Sequence, residues 1–515
     1  MFPTLLFDDE VIAPERLRAR ALRAARGFAD LGVGEGDTVA LMVRNEPAAM
    51  EAILAARHLG AYWCGLNWHF KAAEAGHILR DCQAKVLVVH ADLLPQIAAG
   101  IPEGLPVLVV APRALTCRLY GIADDLDRGA LPGSVAPWDA WVDRHAPSDA
   151  APRRPRGLMP YTSGTTGRPK GVKRLPHPPE HEEELSRAAA EVAATVFGVD
   201  ASSTCLLAAP MYHSAPAAFA SACAQAGAVL RLAPKFDAAQ LLADIERDRT
   251  TTLYLVPTMF QRLLRLPAQQ RAAHDTRSVR FVSSTGSPCP PEVKAAMIDW
   301  WGPVVHEAYA SSETGSISFI TASDWLAHRG SAGRPVGRAT VRILDDAGRA
   351  LPAGQIGTIH ARQPAYGDFE YIGNPEARQR VERDGLFTLG DMGYLSEDGY
   401  LYICDRQSDM VISGGVNIYP AEIEAVLATM DGVQDCAVFG VPDADWGEAL
   451  AAAVQLRDGA SVHAEAVRGF LRQHLAGYKV PKLVEFHGRL PREDTGKIFK
   501  RLLRAPHWAG AGRSI

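Results

Sequence analysis

Along residues 15–31, apolar side chains recur at helical spacing, with Leu17, Ala21, Leu22, Ala25 and Phe28 on one face, which predicts an amphipathic helix. Residues 38–43, 85–89 and 106–110 are short, nearly unbroken apolar runs, the pattern of strands buried on both faces. The alternation returns after residue 200. Strands are expected at 204–209, 228–232, 252–255 and 279–283, with helices at 237–247 and 290–301 between them. This rhythm argues for an α/β protein whose sheets are covered by helices. Residues 333–403 carry denser strand and turn signals, and 394–403 read as a hairpin turning at Asp398-Gly399. A smaller unit follows: helix 421–430, strand 434–441, helix 462–475 and strand 484–487. The boundary is placed near Arg406, giving domains of residues 1–405 and 406–515, and the Pro- and Arg-rich stretch 146–160 reads as a linker inside the first.

Composition narrows the class. With 515 residues, 47% hydrophobic and 22% charged, the chain is neither a single small module nor broadly disordered. Its net charge of −5, from 54 basic and 59 acidic residues, leaves no global field to recruit nucleic acid or an anionic membrane. No apolar run reaches bilayer-spanning length. The first ten residues include Asp8, Asp9 and Glu10 and no basic stretch, so a cleaved secretory signal is not expected. Cysteines 64, 82, 117, 205, 223, 289, 404 and 436 are scattered with no CxxC spacing, which suits reduced thiols and a cytoplasmic location. Arg513-Ser514-Ile515 is not the peroxisomal tripeptide.

The chemistry concentrates in Tyr161-Thr162-Ser163-Gly164-Thr165-Thr166-Gly167-Arg168-Pro169-Lys170-Gly171. Three glycines allow close backbone approach to a ligand, the hydroxyls and N–H groups donate hydrogen bonds, and Lys170 adds positive charge. Together they suit a polyphosphate, although the spacing is not that of a Walker P-loop. This string resembles the phosphate-binding loop of the adenylate-forming superfamily of acyl-CoA synthetases, nonribosomal adenylation domains and luciferases. The resemblance runs through further motifs, in order, over about residues 10–505, and it is closest to the AMP-forming acyl-CoA synthetase branch.

The resemblance implies a large N-terminal domain with a β-barrel-like subdomain and a small mobile α+β C-terminal domain. It also implies the substrates ATP and CoA, with Mg²⁺. In Val-His-Glu-Ala-Tyr-Ala-Ser-Ser-Glu-Thr-Gly, residues 305–315, Tyr309 corresponds to the residue lying against adenine and Glu313 to the one holding Mg²⁺ on the phosphates. Ser312 stands where the family usually has Thr and keeps the hydroxyl. Asp391 corresponds to the carboxylate that accepts from both ribose hydroxyls, and Arg406 to its companion. Gly414 and Gly415 correspond to the channel that passes the CoA pantetheine, and Ser408 stands at the hinge position usually held by Asp or Lys. Lys497, in Leu-Pro-Arg-Glu-Asp-Thr-Gly-Lys-Ile, residues 490–498, corresponds to the lysine that neutralises the carboxylate and α-phosphate. Tyr212 and His213 border the acyl pocket with Ala217, Gly286 and Ala310. Gly286 and Ser287 also belong to the segment that contacts adenine and substrate. His177-Pro-Pro-Glu-His181 has the spelling of an inverted zinc motif, but its two prolines argue against the helix that such a site needs.

The expected reaction is ATP-dependent acid–CoA ligation through an acyl-adenylate. Residues 206–236 contain no Asp or Glu to pair an ammonium, which disfavours amino-acid substrates. The alanines at 215, 217, 218, 220, 222 and 224 suit either tight helix–helix packing or room for a bulky acid, and the expected acid is medium- or long-chain, alicyclic or a steroid side chain. An aryl-acid CoA ligase and an acyl-AMP ligase loading a carrier protein are the alternatives, and a nucleotide-binding pseudoenzyme is a rival from another class. The chain is expected to act as a monomer or homodimer on small molecules, with no nucleic-acid partner.

Overall fold

The apolar runs of the first 110 residues pair with one another. In the computed structural model, which describes residues 1–123, 135–162, 169–414, 416–443, 445–492 and 498–509, they form a parallel five-stranded sheet. Its order is Tyr62–Gly65, Thr38–Met42, Ala84–His90, Val107–Val110 and Val135–Pro137. All five residues of Thr38–Met42 are buried, because helices cover both faces of such a sheet. The first helix, Pro14–Asp30, starts on Pro14, whose fixed φ suits a first helical turn, and buries Leu17, Ala21, Ala24, Ala25 and Phe28.

A nine-stranded sheet forms the centre of the molecule. Val305–Ser311, Phe281–Ser284, Thr252–Leu255, Thr204–Leu207, Val229–Leu232 and Thr4–Phe7 run parallel in that spatial order. Gly315–Ile320 and Glu10–Ile12 pair antiparallel beside the two ends of this run. The chain runs from Thr204–Leu207 to a neighbour on one side and then to Thr252–Leu255 on the other. This reversal makes a crevice at the C-terminal ends of the strands, where open α/β sheets bind ligands. Asn45, fully buried, fastens the first sheet to this edge: its amide donates to the carbonyls of Ala209 (2.9 Å) and Ala233 (3.2 Å), and its oxygen accepts from Met211 N (3.0 Å).

The strand-rich region is a five-stranded antiparallel sheet built from Thr340–Leu344, Gly357–Arg362, Glu382–Arg383, Leu386–Leu395 and Leu401–Arg406. Its last hairpin turns at Gly399 as expected, with Tyr394 opposite Tyr402. A separate sheet follows, in the order Val416–Ile418, Val411–Ser413, Gly447–Leu456 and Val433–Asp443. Leu483–Phe486 lies parallel to Gly447–Leu456. Helices Pro420–Leu427 and Ala464–His474 pack on this sheet. The first of these is shorter than expected. It stops at Leu427, and the chain turns through Gly432 at φ 82° into the next strand.

Residues 146–160 are irregular, as a linker should be, but their arginines are not free. Arg154 pairs with Glu182 and donates to His177 O (3.0 Å), while Arg156 donates to Glu35 (3.1 Å). The zinc-like spelling resolves into a short 3-10 turn, Pro179–His181, ahead of helix Glu182–Phe197. All eight cysteines are free. Among the described residues, no helix is long and apolar enough to cross a membrane.

Candidate active site

Four parallel strands deliver the site's residues to one edge. Thr204–Leu207 leads into Pro210–His213, Thr252–Leu255 ends beside Tyr254, Phe281–Ser284 leads into Thr285-Gly286-Ser287, and Val305–Ser311 leads into Ser312-Glu313. The antiparallel pairing of Val305–Ser311 with Gly315–Ile320 slips between Tyr309 and Ala310. Such a bulge bends a strand and re-aims side chains, and here it falls at the expected adenine residue.

Glu313 is buried, and its Oε1 accepts a hydrogen bond from Tyr371 Oη at 3.0 Å. Its other oxygen makes no hydrogen bond among the described residues. Lys170 Nζ lies 5.7 Å from the centre of the Tyr371 ring. The register explains this meeting. Lys170–Arg174 pairs antiparallel with Phe369–Tyr371, setting Tyr371 opposite Val172. A hard carboxylate oxygen with no hydrogen bond among the described residues suits a divalent ion. No group of three His, Cys, Asp or Glu side chains converges among the described residues, so ligand oxygens would complete the coordination.

Asp391 is also buried. Tyr309 Oη donates to its Oδ2 at 2.6 Å, and Arg406 Nε lies 3.3 Å from Oδ1. Asp391 and Arg406 face each other across the hairpin, next to a register slip at Met392-Gly393. Burial and the neighbouring Asp391 carboxylate push the Tyr309 phenol upward, so it stays protonated and donates. The carboxylate thereby orients the Tyr309 ring while its remaining lone pairs can accept from a diol. His306, from the same motif, is structural. Its Nδ1 accepts from Ala322 N (3.0 Å), and burial lowers its pKa to about 4.

The segment expected to border the acid carries aromatic side chains. His213 is the N-cap of helix Ser214–Ala226, its ring 4.2 Å from that of Tyr212, and Tyr212 sits edge-on to Trp68 at 4.7 Å. Ala217 is buried in the core, and Ala310 is half-buried. The alanine-rich helix is not hollow on its buried side. Phe219 is fully buried, its ring 5.7 Å from Phe197 and 6.0 Å from Tyr254. Tyr254 Oη lies 3.5 Å from Thr285 O, beside the exposed Gly286. Ser287 is half-buried in the same turn. Ser312 Oγ lies 2.8 Å from Ser214 Oγ and ties the Glu313 turn to this helix.

At the start of the C-terminal sheet, residues 406–410 form a single turn closed by Met410 N donating to Arg406 O at 3.0 Å. Ser408 is exposed, and its carbonyl accepts from Arg504 (2.9 Å). Gly414 takes φ 57°, and any Cβ there would run into the Trp446 ring. Exposed Ile412, Val416 and Trp446 surround it. Ser163, Gly164, Thr165, Thr166, Gly167, Gly415 and Lys497 lie outside the described residues, as does the side chain of Thr162. Lys500, three residues beyond Lys497, is half-buried and pairs with Glu424 at 2.8 Å. Tyr371, Tyr254 and Arg174 belong to the site's framework but to no motif, and only the strand register and the rings' packing bring them in.

Comparisons with known proteins identify the family. Residues 5–367 match the AMP-binding enzyme family, and 422–497 match the AMP-binding enzyme C-terminal domain. The chain is 34% identical to the feruloyl-CoA synthase of an Amycolatopsis species over 95% of its own length and 92% of the relative's. It is 32% identical to the long-chain-fatty-acid–CoA ligase FadD13 of Mycobacterium tuberculosis, covering 96% and 93%. The crystal structure of the anthranilate CoA ligase AuaEII with anthranoyl-AMP superposes with a TM-score of 0.84 at 25% identity, covering 99% of this chain and 95% of that one. The chain belongs to the AMP-binding enzyme family, in the acyl-CoA synthetase branch of the adenylate-forming superfamily.

Proposed function

We propose that the protein is an ATP-dependent ligase that joins an apolar, ring-bearing carboxylic acid to CoA. The observation that carries this reading is the meeting of two chemistries at one sheet edge. Lys170, Tyr371, Glu313, Tyr309 and Asp391 bring charge and hydrogen bonds, and the half-buried His213 ring against Tyr212 brings an aromatic surface. Relatives divide between aromatic and fatty acids by name, and the feruloyl-CoA synthase at 34% identity favours a ring acid. Flat rings stack against aromatic side chains such as Tyr212 and His213.

In the first half, a carboxylate oxygen attacks the α-phosphorus of ATP, the α–β phosphoanhydride bond breaks, and pyrophosphate leaves. Residues 162–167 and Lys170 hold the phosphates. Tyr309 lies against adenine beside Gly286, Ser287 and Ser312, and Asp391 with Arg406 holds the ribose. Mg²⁺, when bound at Glu313, adds positive charge to the phosphates. Tyr371 keeps that carboxylate turned inward. Lys497 neutralises the carboxylate and α-phosphate oxygens as charge builds. In the second half, residues from Arg406 onward turn about Ser408. The CoA thiolate passes Gly414 and Gly415 and attacks the acyl carbon, and AMP leaves. Tyr212 and His213 border the thiol's path, and Ala217, Gly286 and Ala310 border the acid.

A panel of cinnamates, arylacetates, cyclohexyl acids and saturated C8–C16 acids tests the acid, with AMP release measured with and without CoA. Ring acids should give the highest kcat/KM. A preference that climbs with chain length would overturn this part of the reading, and pyrophosphate release with no CoA-dependent AMP formation would point to carrier loading instead. Ser408→Pro tests the hinge, because proline restricts φ where rotation is required. Acyl-AMP formation should stay within about threefold while thioester formation drops about tenfold or more. Unchanged thioester formation would rule Ser408 out.

A further inference from the structure

Arg174 closes the strand that leaves the phosphate loop, yet its side chain works elsewhere. Nη2 donates to Ser312 O at 2.9 Å and Nη1 to Gly367 O at 3.0 Å. The guanidinium carbon lies 5.3 Å from the centre of the Tyr366 ring. No carboxylate comes within ion-pair distance of it among the described residues. Its own carbonyl is held by Tyr62 Oη at 2.5 Å. A planar fork with fixed N–H directions can bridge two carbonyls in this way, and an ammonium cannot do so with the same geometry.

Both partners matter. Ser312 immediately precedes Glu313, and its hydroxyl is the one shared with Ser214 at the start of the acyl-side helix. Gly367 lies two residues before Phe369–Tyr371, the strand that brings Tyr371 to Glu313. The packing beneath is tight. Gly315, at φ 74°, has no space for a Cβ against the Tyr366 ring, so the turn carrying Glu313 rests directly on the ring under the guanidinium. One side chain thus joins three pieces of chain: the exit of the phosphate loop, the Glu313 turn and the segment leading to Tyr371.

We infer that Arg174 is a positioning residue for adenylate formation, clamping the Glu313 carboxylate at the depth needed to hold Mg²⁺·ATP beside Lys170. The inference rests on the ligase reading above. It demands an effect on the first half-reaction and on its Mg²⁺ requirement, because the second half-reaction uses an acyl-AMP already made. Arg174→Leu should slow acyl-AMP formation about 10- to 100-fold, the range for losing hydrogen bonds from a charged group. The Mg²⁺ concentration for half-maximal rate should rise about tenfold. Thioester formation from supplied acyl-AMP should stay within about threefold. Arg174→Lys, which keeps the charge and loses the fork, should fold like the parent and show a smaller shift in the same direction. Should the leucine variant fail to fold, the lysine variant decides alone. An unchanged Mg²⁺ requirement, or equal loss in both half-reactions, overturns the assignment. An unmodified protein that makes no acyl-AMP from any acid would instead overturn the ligase reading, and the assignment with it.

Discussion

Replacing Lys497 with alanine should slow acyl-adenylate formation by about two to three orders of magnitude, the usual effect of removing one group that meets developing charge in a transition state. Negative charge gathers on the α-phosphate as a second anion, the carboxylate, approaches it. Of the basic residues, Lys170 is already placed toward the Tyr371–Glu313 pair, and Arg406 lies against Asp391. Neither replaces an ammonium at the carboxylate. Thioester formation from supplied acyl-AMP should be nearly unaffected, since the proposed rotation about Ser408 would carry the lysine away in that half. Pyrophosphate exchange reads the first half, and release of AMP from synthetic acyl-AMP and CoA reads the second. Equal loss in both would refute the role. Lys500→Ala is the natural comparison. Its pair with Glu424 is half-buried in the C-terminal unit, so that variant should lose some thermal stability and show no split between the halves.

Much of this architecture is written locally. Thr38–Met42 and Val107–Val110 are legible because strands covered on both faces must be apolar throughout. The strand Tyr62–Gly65 escapes such reading. It mixes Tyr, Trp, Cys and Gly, and its burial comes from neighbours distant in sequence. Thr4–Phe7 likewise becomes a strand by pairing with Val229–Leu232 more than 200 residues away. The site divides in the same way. Glu313, Tyr309, Asp391 and Arg406 stand in contiguous strings whose chemistry is visible in order. Tyr371 and Arg174 carry no such string. Each acts through the antiparallel register of Lys170–Arg174 against Phe369–Tyr371, and register is a tertiary property. The acyl helix shows a further limit. Its run of alanines suited either space or tight packing, and on the buried side Phe219 packs against Phe197 and Tyr254. Composition along a helix does not report which side its exceptions face.

Asp391→Ala should raise the KM for ATP about 100-fold or more, and its signature should differ from that of Lys497→Ala. Each hydrogen bond from a ribose hydroxyl to a buried carboxylate contributes about 1.5–3 kcal/mol, and about 1.4 kcal/mol is tenfold. Two such bonds therefore outweigh most single contacts in the site. The ribose is retained in the acyl-AMP, so both half-reactions should suffer, where the lysine variant separates them. The deletion also removes the acceptor for Tyr309 Oη and the counterion of Arg406, leaving a buried phenol to find a new partner. Asp391→Asn separates these effects. Its carbonyl oxygen still accepts from Tyr309, so the ring stays oriented, while an acceptor for the diol is lost. That variant should fold normally and show an intermediate KM. Arg406→Ala should cost less than either, since its side chain is 48% exposed and water screens what it contributes. Isothermal titration with ATP and steady-state kinetics check the order Ala, then Asn, then Arg406→Ala. If Arg406→Ala proved the most damaging of the three, the arginine would be the principal ribose anchor and Asp391 its support.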